Sequence, residues 1–278
     1  MEQYFNQWLQ ILQGMGVRYI LFTGFLFLTF YIIFYKKIFW KKIQLKSPKQ
    51  TQIKRELKNS ILTIMIFSAE ATIFWIWIAP HSLLYHPTLQ FGVPYLLFST
   101  ILILFLHDTY FYWTHRFMHH KKIYKYIHKV HHQSTNPTPF TSYSFHPLET
   151  MLEALITPIL AFLLPINYYQ FIGFLIFQLI FNIYGHLGYE IFPKRFHKTA
   201  IGKWISTSIA HNMHHQYFNG NYGLYFLFWD RLMGTIHPKY DEKYEEIFNR
   251  TNDKKISQAN SQELLNIDPT QEILIISE

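Results

Sequence analysis

Four stretches of the chain carry almost no charged residue, and this feature limits the possible folds more than any other. Residues 19–35, 71–106 and 154–189 contain no Asp, Glu, Lys or Arg, and residues 59–80 contain only Glu70. A helix needs about 20 consecutive apolar residues to cross a bilayer. The sequence therefore predicts an all-α, polytopic membrane protein with four to five transmembrane or membrane-embedded helices.

The distribution of Lys and Arg predicts the orientation of these helices. Residues 36–58 hold nine basic residues and one acid, and loops of this kind stay on the cytoplasmic side. Residues 81–94 contain no Lys or Arg, which fits a short external turn. Pro165 fits an out-facing hairpin with both ends cytoplasmic or a buried hairpin that crosses half of the membrane. The formal charge of +8 is explained by the basic loop, so no nucleic-acid binding is expected.

The histidines form three motifs with short spacings. They are HxxxH at residues 115–119, HxxHH at residues 128–132 and HxxHH at residues 211–215. On a helix, positions i, i+3 and i+4 lie on one side, so these imidazoles are expected to converge from three helical segments into one cytoplasmic, histidine-rich cap. Neutral imidazole is the commonest metal ligand, and eight donors exceed the needs of one ion, so two ions are predicted. The predicted ligands are His115, His119, His128, His131, His132, His211, His214 and His215.

The other residue types that can bind metals limit which metal ions the site can hold. The chain has no cysteine, which excludes thiolate sites and iron–sulfur clusters and leaves iron, copper, zinc and nickel. His107 and His186 are further candidate ligands because they adjoin the histidine motifs or the end of an apolar run. Metal-bound histidines usually donate their second ring N–H to a carboxylate or carbonyl. The acids placed to accept it are Asp108, Glu149, Glu190 and Asp230, each of which also fits a helix cap or an ion pair.

The histidine motifs belong to a longer pattern. The segments HDTYFYWTHRFMH, HKVHHQS, SFHPLE, GHLGYE, HNMHH and NYGLYFLFWDRLMGT follow one another over about residues 100–236. In these segments the chain resembles the fatty acid hydroxylase superfamily, specifically its sterol desaturase branch. The resemblance implies an integral membrane, non-haem di-iron oxygenase that uses O2 to hydroxylate or desaturate a lipid. It also implies that the eight histidines of the three motifs bind two iron ions.

The resemblance and the composition together divide the chain into three parts. Residues 1–92 hold the first membrane helices and the basic loop, and residues 93–238 form the catalytic domain that the resemblance implies. Residues 239–278 hold nine of the 17 acidic residues and are expected to form a polar, solvated tail, with a short helix at residues 262–266.

Two other classes of protein also place histidines at a membrane. A histidine-lined metal transporter would spread titratable residues through several spans, and a metal-dependent hydrolase would add carboxylate ligands. Two tightly held irons per chain would favour the oxygenase. Sterol, fatty acyl, carotenoid and ether lipid substrates all remain open, as does the choice between hydroxylation and desaturation.

The source of electrons is predicted to be a separate protein. The sequence shows no haem-binding or flavin motif, and the missing cysteines exclude an iron–sulfur cluster of its own. A basic face next to the second histidine motif could dock an acidic donor protein. This face consists of Lys121, Lys122, Lys125 and Lys129.

Overall fold

The computed structural model describes residues 1–86 and 90–250, and helices account for most of them. The all-α prediction is confirmed. The α-helices are α1 (Glu2–Phe27), α2 (Tyr35–Ile38), α3 (Gln50–Ile73), α4 (Gly92–Met118), α5 (Tyr124–Ile127), α6 (Lys129–His132), α7 (Pro147–Ala154), α8 (Ile156–Leu163), α9 (Tyr168–Gly185), α10 (Ser208–Tyr217), α11 (Phe228–Leu232) and α12 (Tyr240–Asn249). Two-residue strands, β1 (Leu84–Tyr85) and β2 (Ile166–Asn167), pair in parallel.

Within the described residues, four helical segments are long and apolar enough to cross a membrane, as expected for an integral membrane protein. The first two extend beyond α1 and α3 through π-helical turns at Leu28–Ile33 and Phe74–Ile78. The segments are Glu2–Ile33, Gln50–His81, Gly92–Met118 and Tyr168–Gly185.

The apolar run before Pro165 forms two short helices instead of a fifth long helix. It consists of α7 and α8, which meet at Leu155. Pro158 lies in the first turn of α8 and has no N–H to donate to the carbonyl of Ala154, so a continuous helix would lack a hydrogen bond there. The four long segments satisfy the prediction of four to five membrane helices, and the fifth apolar run is divided into two short helices.

An apolar core lies between α4, α8, α9 and the π-helical turn that follows α3. Polar contacts add to it: Gln170 of α9 donates from Nε2 to Ser99 Oγ at 2.9 Å and to Thr100 Oγ1 at 2.7 Å, which ties α9 to α4. The buried residues of this core are Phe74, Ile103, Ile156, Leu160, Ala161, Ile166, Phe171 and Phe174.

A second core joins α10 to α12. Ile209, Ala210 and Met213 cover one side of α10, while the histidines of α10 face away from it. On α12 the buried residues follow a helical stripe and consist of Tyr240, Tyr244, Ile247 and Phe248. This helix lies in the segment expected to be solvated, so that expectation is wrong for Tyr240–Asn249. Residues 251–278, with the predicted short helix at residues 262–266, lie outside the described part of the chain.

Candidate metal centre

The structure gathers nine histidine side chains into two neighbouring clusters. Within each cluster the potential ligand nitrogens lie within 4.8 Å of one another. We call the first the five-histidine cluster, which contains His115, His119, His128, His132 and His214. The four-histidine cluster contains His131, His186, His211 and His215.

Helix geometry explains which histidine joins which cluster. Residues four apart differ by about 40° around the axis, whereas adjacent residues differ by about 100°. His128 and His132 therefore share the five-histidine cluster, and His131, next to His132, points into the four-histidine cluster. On α10 the assignment is reversed: His211 and His215 share the four-histidine cluster and His214 joins the other. Each HxxHH motif thus supplies both clusters, which lie side by side.

Oxygen atoms hold the outer ring nitrogens of several cluster histidines in place. In the five-histidine cluster, Nδ1 of His115 lies 2.9 Å from the Tyr222 carbonyl oxygen, and Nδ1 of His214 lies 2.7 Å from that of Gly220. A carbonyl only accepts, so each facing Nδ1 carries the hydrogen. In a neutral ring the other nitrogen, Nε2, then presents a lone pair.

The four-histidine cluster is held in the same way. His186 Nδ1 lies 2.7 Å from the carbonyl oxygen of Asn182, and His215 Nδ1 lies 3.0 Å from that of Ser134. The Nε2 atoms of these two histidines lie only 3.1 Å apart. Two lone pairs facing each other at this distance repel one another, and a cation between them would convert the repulsion into attraction.

The spacing of the inner nitrogens fits metal ions. His214 Nε2 lies 3.1 Å from the Nε2 atoms of both His119 and His132, and His211 Nε2 lies 3.0 Å from that of His186. Neighbouring nitrogen ligands of an octahedral ion lie about 3.0 Å apart when the metal–nitrogen distance is about 2.1 Å. The all-imidazole donor sets suit a borderline transition metal such as iron.

Burial keeps these imidazoles neutral. It lowers the pKa of the cluster histidines outside the long helices, and neighbouring imidazoles lower most of these values further. The pKa of His186 falls to about 4, although its bond to the Asn182 carbonyl partly offsets the effect of burial. Since only the neutral ring can bind a metal, the clusters are ready to bind one at neutral pH.

One predicted acid touches a cluster histidine directly. Glu149 Oε1 accepts a hydrogen bond from His128 Nδ1 at 2.7 Å, and both side chains are buried. This is the contact that fixes the ring orientation of a metal-bound histidine.

The other three predicted acids accept hydrogen bonds from the backbone. Asp108 binds the N–H groups of residues 224–226. Asp230 binds those of Tyr222 and Gly223, and Glu190 binds that of Ile209 in α10. They support the site by holding the segments that carry the histidines and their carbonyl partners.

The segment from Phe218 to Phe226 covers the five-histidine cluster. It leaves α10 through the left-handed backbone conformations of Phe218, Gly220 and Asn221. This turn brings the carbonyls of Gly220 and Tyr222 onto the cluster. These carbonyls could not be identified from the sequence, because every residue type carries one.

Some histidines lie apart from the clusters. His107 is buried but belongs to neither group, and its ring packs against Phe174 and Tyr225. His81 and His86 are exposed near β1, and His120 is exposed after α4. Of the two additional candidate ligands, the structure therefore brings His186 into a cluster and leaves His107 outside.

The comparisons with known proteins agree with the histidine pattern. Residues 100–235, which carry all the cluster histidines, match the family model described as fatty acid hydroxylase. The chain belongs to the fatty acid hydroxylase superfamily. Its similar curated proteins are sterol desaturases, so it lies on that branch of the superfamily.

Three relatives show the extent of the similarity. The lathosterol oxidase of Rattus norvegicus is 34% identical over 193 residues, covering 68% of this chain and 63% of that protein. The lathosterol oxidase of Homo sapiens is 34% identical over 197 residues, covering 67% and 62%. A Delta(7)-sterol 5(6)-desaturase of Gibberella zeae is 32% identical over 206 residues, covering 71% and 61%. The chain thus spans about three fifths of the length of these relatives, and no solved structure matches it significantly.

Proposed function

We propose that this fatty acid hydroxylase family member is a non-haem di-iron oxygenase that uses O2 to hydroxylate or desaturate a membrane lipid. The observation that carries the proposal is the pair of all-imidazole clusters, whose Nε2 lone pairs face one another at about 3 Å. The named activities of the relatives favour a sterol substrate and desaturation. Residues 93–238 would form the catalytic domain.

The nine cluster histidines would hold the two irons, one ion in each cluster. Iron supplies the O2 chemistry needed to oxidise an unactivated C–H bond, which side chains cannot do. The chain keeps the imidazoles neutral by burial and orients them through Glu149 and the backbone carbonyls. It also shields the centre from water, because eight of the nine histidines are at most 5% exposed.

The long helices place this centre beside an apolar region from which a lipid can enter. His115 and His119 lie at the end of α4, one of the four helices able to cross a membrane. By the positive-inside rule, that end is cytoplasmic. An apolar substrate can then reach the irons from the bilayer while electrons reach them from the aqueous side.

A separate donor protein would supply the electrons. Lys121, Lys122, Lys125 and Lys129 are exposed on and around α5 and α6, next to the five-histidine cluster. We expect the rate of reduction by an acidic donor to fall as salt concentration rises. A rate that does not change with salt would contradict docking by charge.

The direct test combines metal analysis with turnover. The purified chain, loaded with iron, is supplied with O2, a reductant and a Δ7-sterol, and product and iron per chain are measured. We expect two irons per chain and an oxidised sterol, and no product when zinc replaces iron. A matched fatty acyl lipid tests the alternative substrate class. An iron-loaded chain that consumes no O2 with either lipid would refute the proposal.

A further inference from the structure

The segment between α2 and α3, residues 39–49, lies against the candidate metal centre. Its backbone meets the stretch that follows His186, where the N–H of Ile43 donates to the Gly188 carbonyl at 2.9 Å. From the sequence, this segment was expected only to be part of a basic cytoplasmic loop. It also lies outside residues 93–238, the proposed catalytic domain. The N-terminal part of the chain therefore packs directly against the part that carries the histidines.

Gln44 of this segment joins the two HxxHH motifs through one amide group. Its Nε2 atom donates to the Thr135 carbonyl at 2.8 Å and to Asn212 Oδ1 at 2.9 Å. Thr135 comes shortly after the second histidine motif, and Asn212 lies inside the third. Because the Thr135 carbonyl can only accept, the group that faces it must be the NH2 of Gln44, which has one hydrogen for each of the two acceptors.

Both contacts of Gln44 lead to rings of the four-histidine cluster. The carbonyl of Ser134, one residue before the first acceptor, lies 3.0 Å from His215 Nδ1. On α10, Asn212 follows His211 directly and lies about 60° from His215 around the helix axis. Gln44 thus sets the distance between the carbonyl that orients His215 and the turn of α10 that carries both rings.

Burial gives the contact between Gln44 and Asn212 its weight. Asn212 is buried, and within the described part of the chain its Nδ2 atom has no hydrogen-bond partner. Removal of Gln44 would therefore leave a buried amide unpaired, which costs free energy. A shift of α10 that brings the amide to water would relieve this cost, and the same shift would move His211 and His215.

We propose that Gln44 is a positioning residue of the candidate metal centre and acts mainly on the four-histidine cluster. Residues of α10 supply two of the four rings of that cluster, but only one of the five rings of the other. A displaced α10 therefore disturbs the four-histidine cluster more. This inference rests on the proposed function only for the presence of metal ions, and it concerns metal binding, which can be tested without O2 or lipid.

The test measures Co2+ binding to the metal-free chain in nanodiscs, followed by the visible absorption of the bound ion. His128→Ala with His132→Ala leaves only the four-histidine cluster intact. His131→Ala with His186→Ala leaves only the five-histidine cluster intact. Gln44→Met keeps the length of the side chain and removes both hydrogen bonds. It should weaken Co2+ binding about 10-fold in the first chain and change its absorption spectrum, with a smaller effect in the second.

Two further variants exclude a general loss of stability. Gln50→Met is the matched control, because Gln50 is an exposed glutamine near the same segment, and it should change neither cluster. Asn212→Leu alone should weaken the four-histidine cluster, but its combination with Gln44→Met should restore part of the affinity, since both partners are then apolar. If an isolated cluster does not fold, Gln44→Met in the full chain should weaken one of two Co2+ ions about 10-fold.

The outcomes separate this inference from the proposed function. Equal or larger weakening of the five-histidine cluster by Gln44→Met, or a lower melting temperature with unchanged Co2+ binding, would overturn the positioning role and leave the metal centre intact. A double variant in which the two losses simply add would show that Gln44 does not act through Asn212 and would overturn it as well. Selective weakening of the four-histidine cluster supports the role even if the iron-loaded chain oxidises no lipid. An unmodified chain that binds no Co2+ would refute both proposals.

Discussion

Two adjacent histidines, His131 and His132, should control different metal ions. They point into different clusters because neighbouring helical residues diverge by about 100°. Loss of a hydrogen-bond partner that only orients a metal ligand already costs about 10- to 100-fold in metal affinity or activity. Loss of the ligand itself should cost more. His131→Ala and His132→Ala should therefore each lower iron from about two ions per chain to about one.

Double substitutions test whether each cluster holds its own ion. His128→Ala combined with His132→Ala removes two donors from one cluster and should still leave about one iron. His131→Ala combined with His132→Ala affects both clusters and should leave almost none. Iron per purified chain is measured by mass spectrometry on monodisperse protein, with the exposed His120→Ala as control. Equal iron loss in the two double variants would refute the assignment of one ion to each cluster.

Three further predictions concern individual side chains. Glu149→Gln should weaken iron binding or turnover about 10- to 100-fold by disturbing His128, and a chain with unchanged iron and turnover would contradict this role. Replacement by Ala of any one of the eight motif histidines should abolish lipid oxidation and lower iron content, whereas exposed His81→Ala and His86→Ala should retain both. Burial lowers the pKa of His197, so the unfolded chain takes up this proton first and stability falls as pH drops below about 6.5. His197→Gln should reduce the loss of melting temperature between pH 7.5 and pH 5.5, and an unchanged loss would rule out this contribution.

The sequence predicted the parts of the site that depend on local geometry. The spacing of His115 and His119 and the two HxxHH motifs placed their side chains correctly near one another, because helical angles are the same in every protein. The same helical angles also predict which histidines belong to which cluster. His131 lies about 100° from His132, and this difference could have been used to separate them.

Contacts between distant segments could not be predicted from spacing. Four acids lay near the histidine motifs in sequence, but only Glu149 reaches a cluster histidine, because α7 packs beside α5, directly before His128. The inclusion of His186 depends on where α9 ends, since the ring is held by the Asn182 carbonyl one turn earlier. The spacing of Tyr240, Tyr244 and Phe248 fits one side of a helix. The acidic residues around them nevertheless led to the expectation of a solvated segment.

The hydrogen bonds that orient the cluster histidines connect the candidate metal centre to the stability of the fold. The carbonyls that hold the cluster rings come from α9, from the segment after α6 and from the cover after α10, so several elements must dock before the Nε2 atoms converge. At this spacing the Nε2 lone pairs repel one another unless a cation lies between them. Metal binding would remove the repulsion and thereby favour the docked arrangement of these elements. We therefore expect the buried histidines to act as metal ligands and the domain that carries them to be most stable when metal is bound.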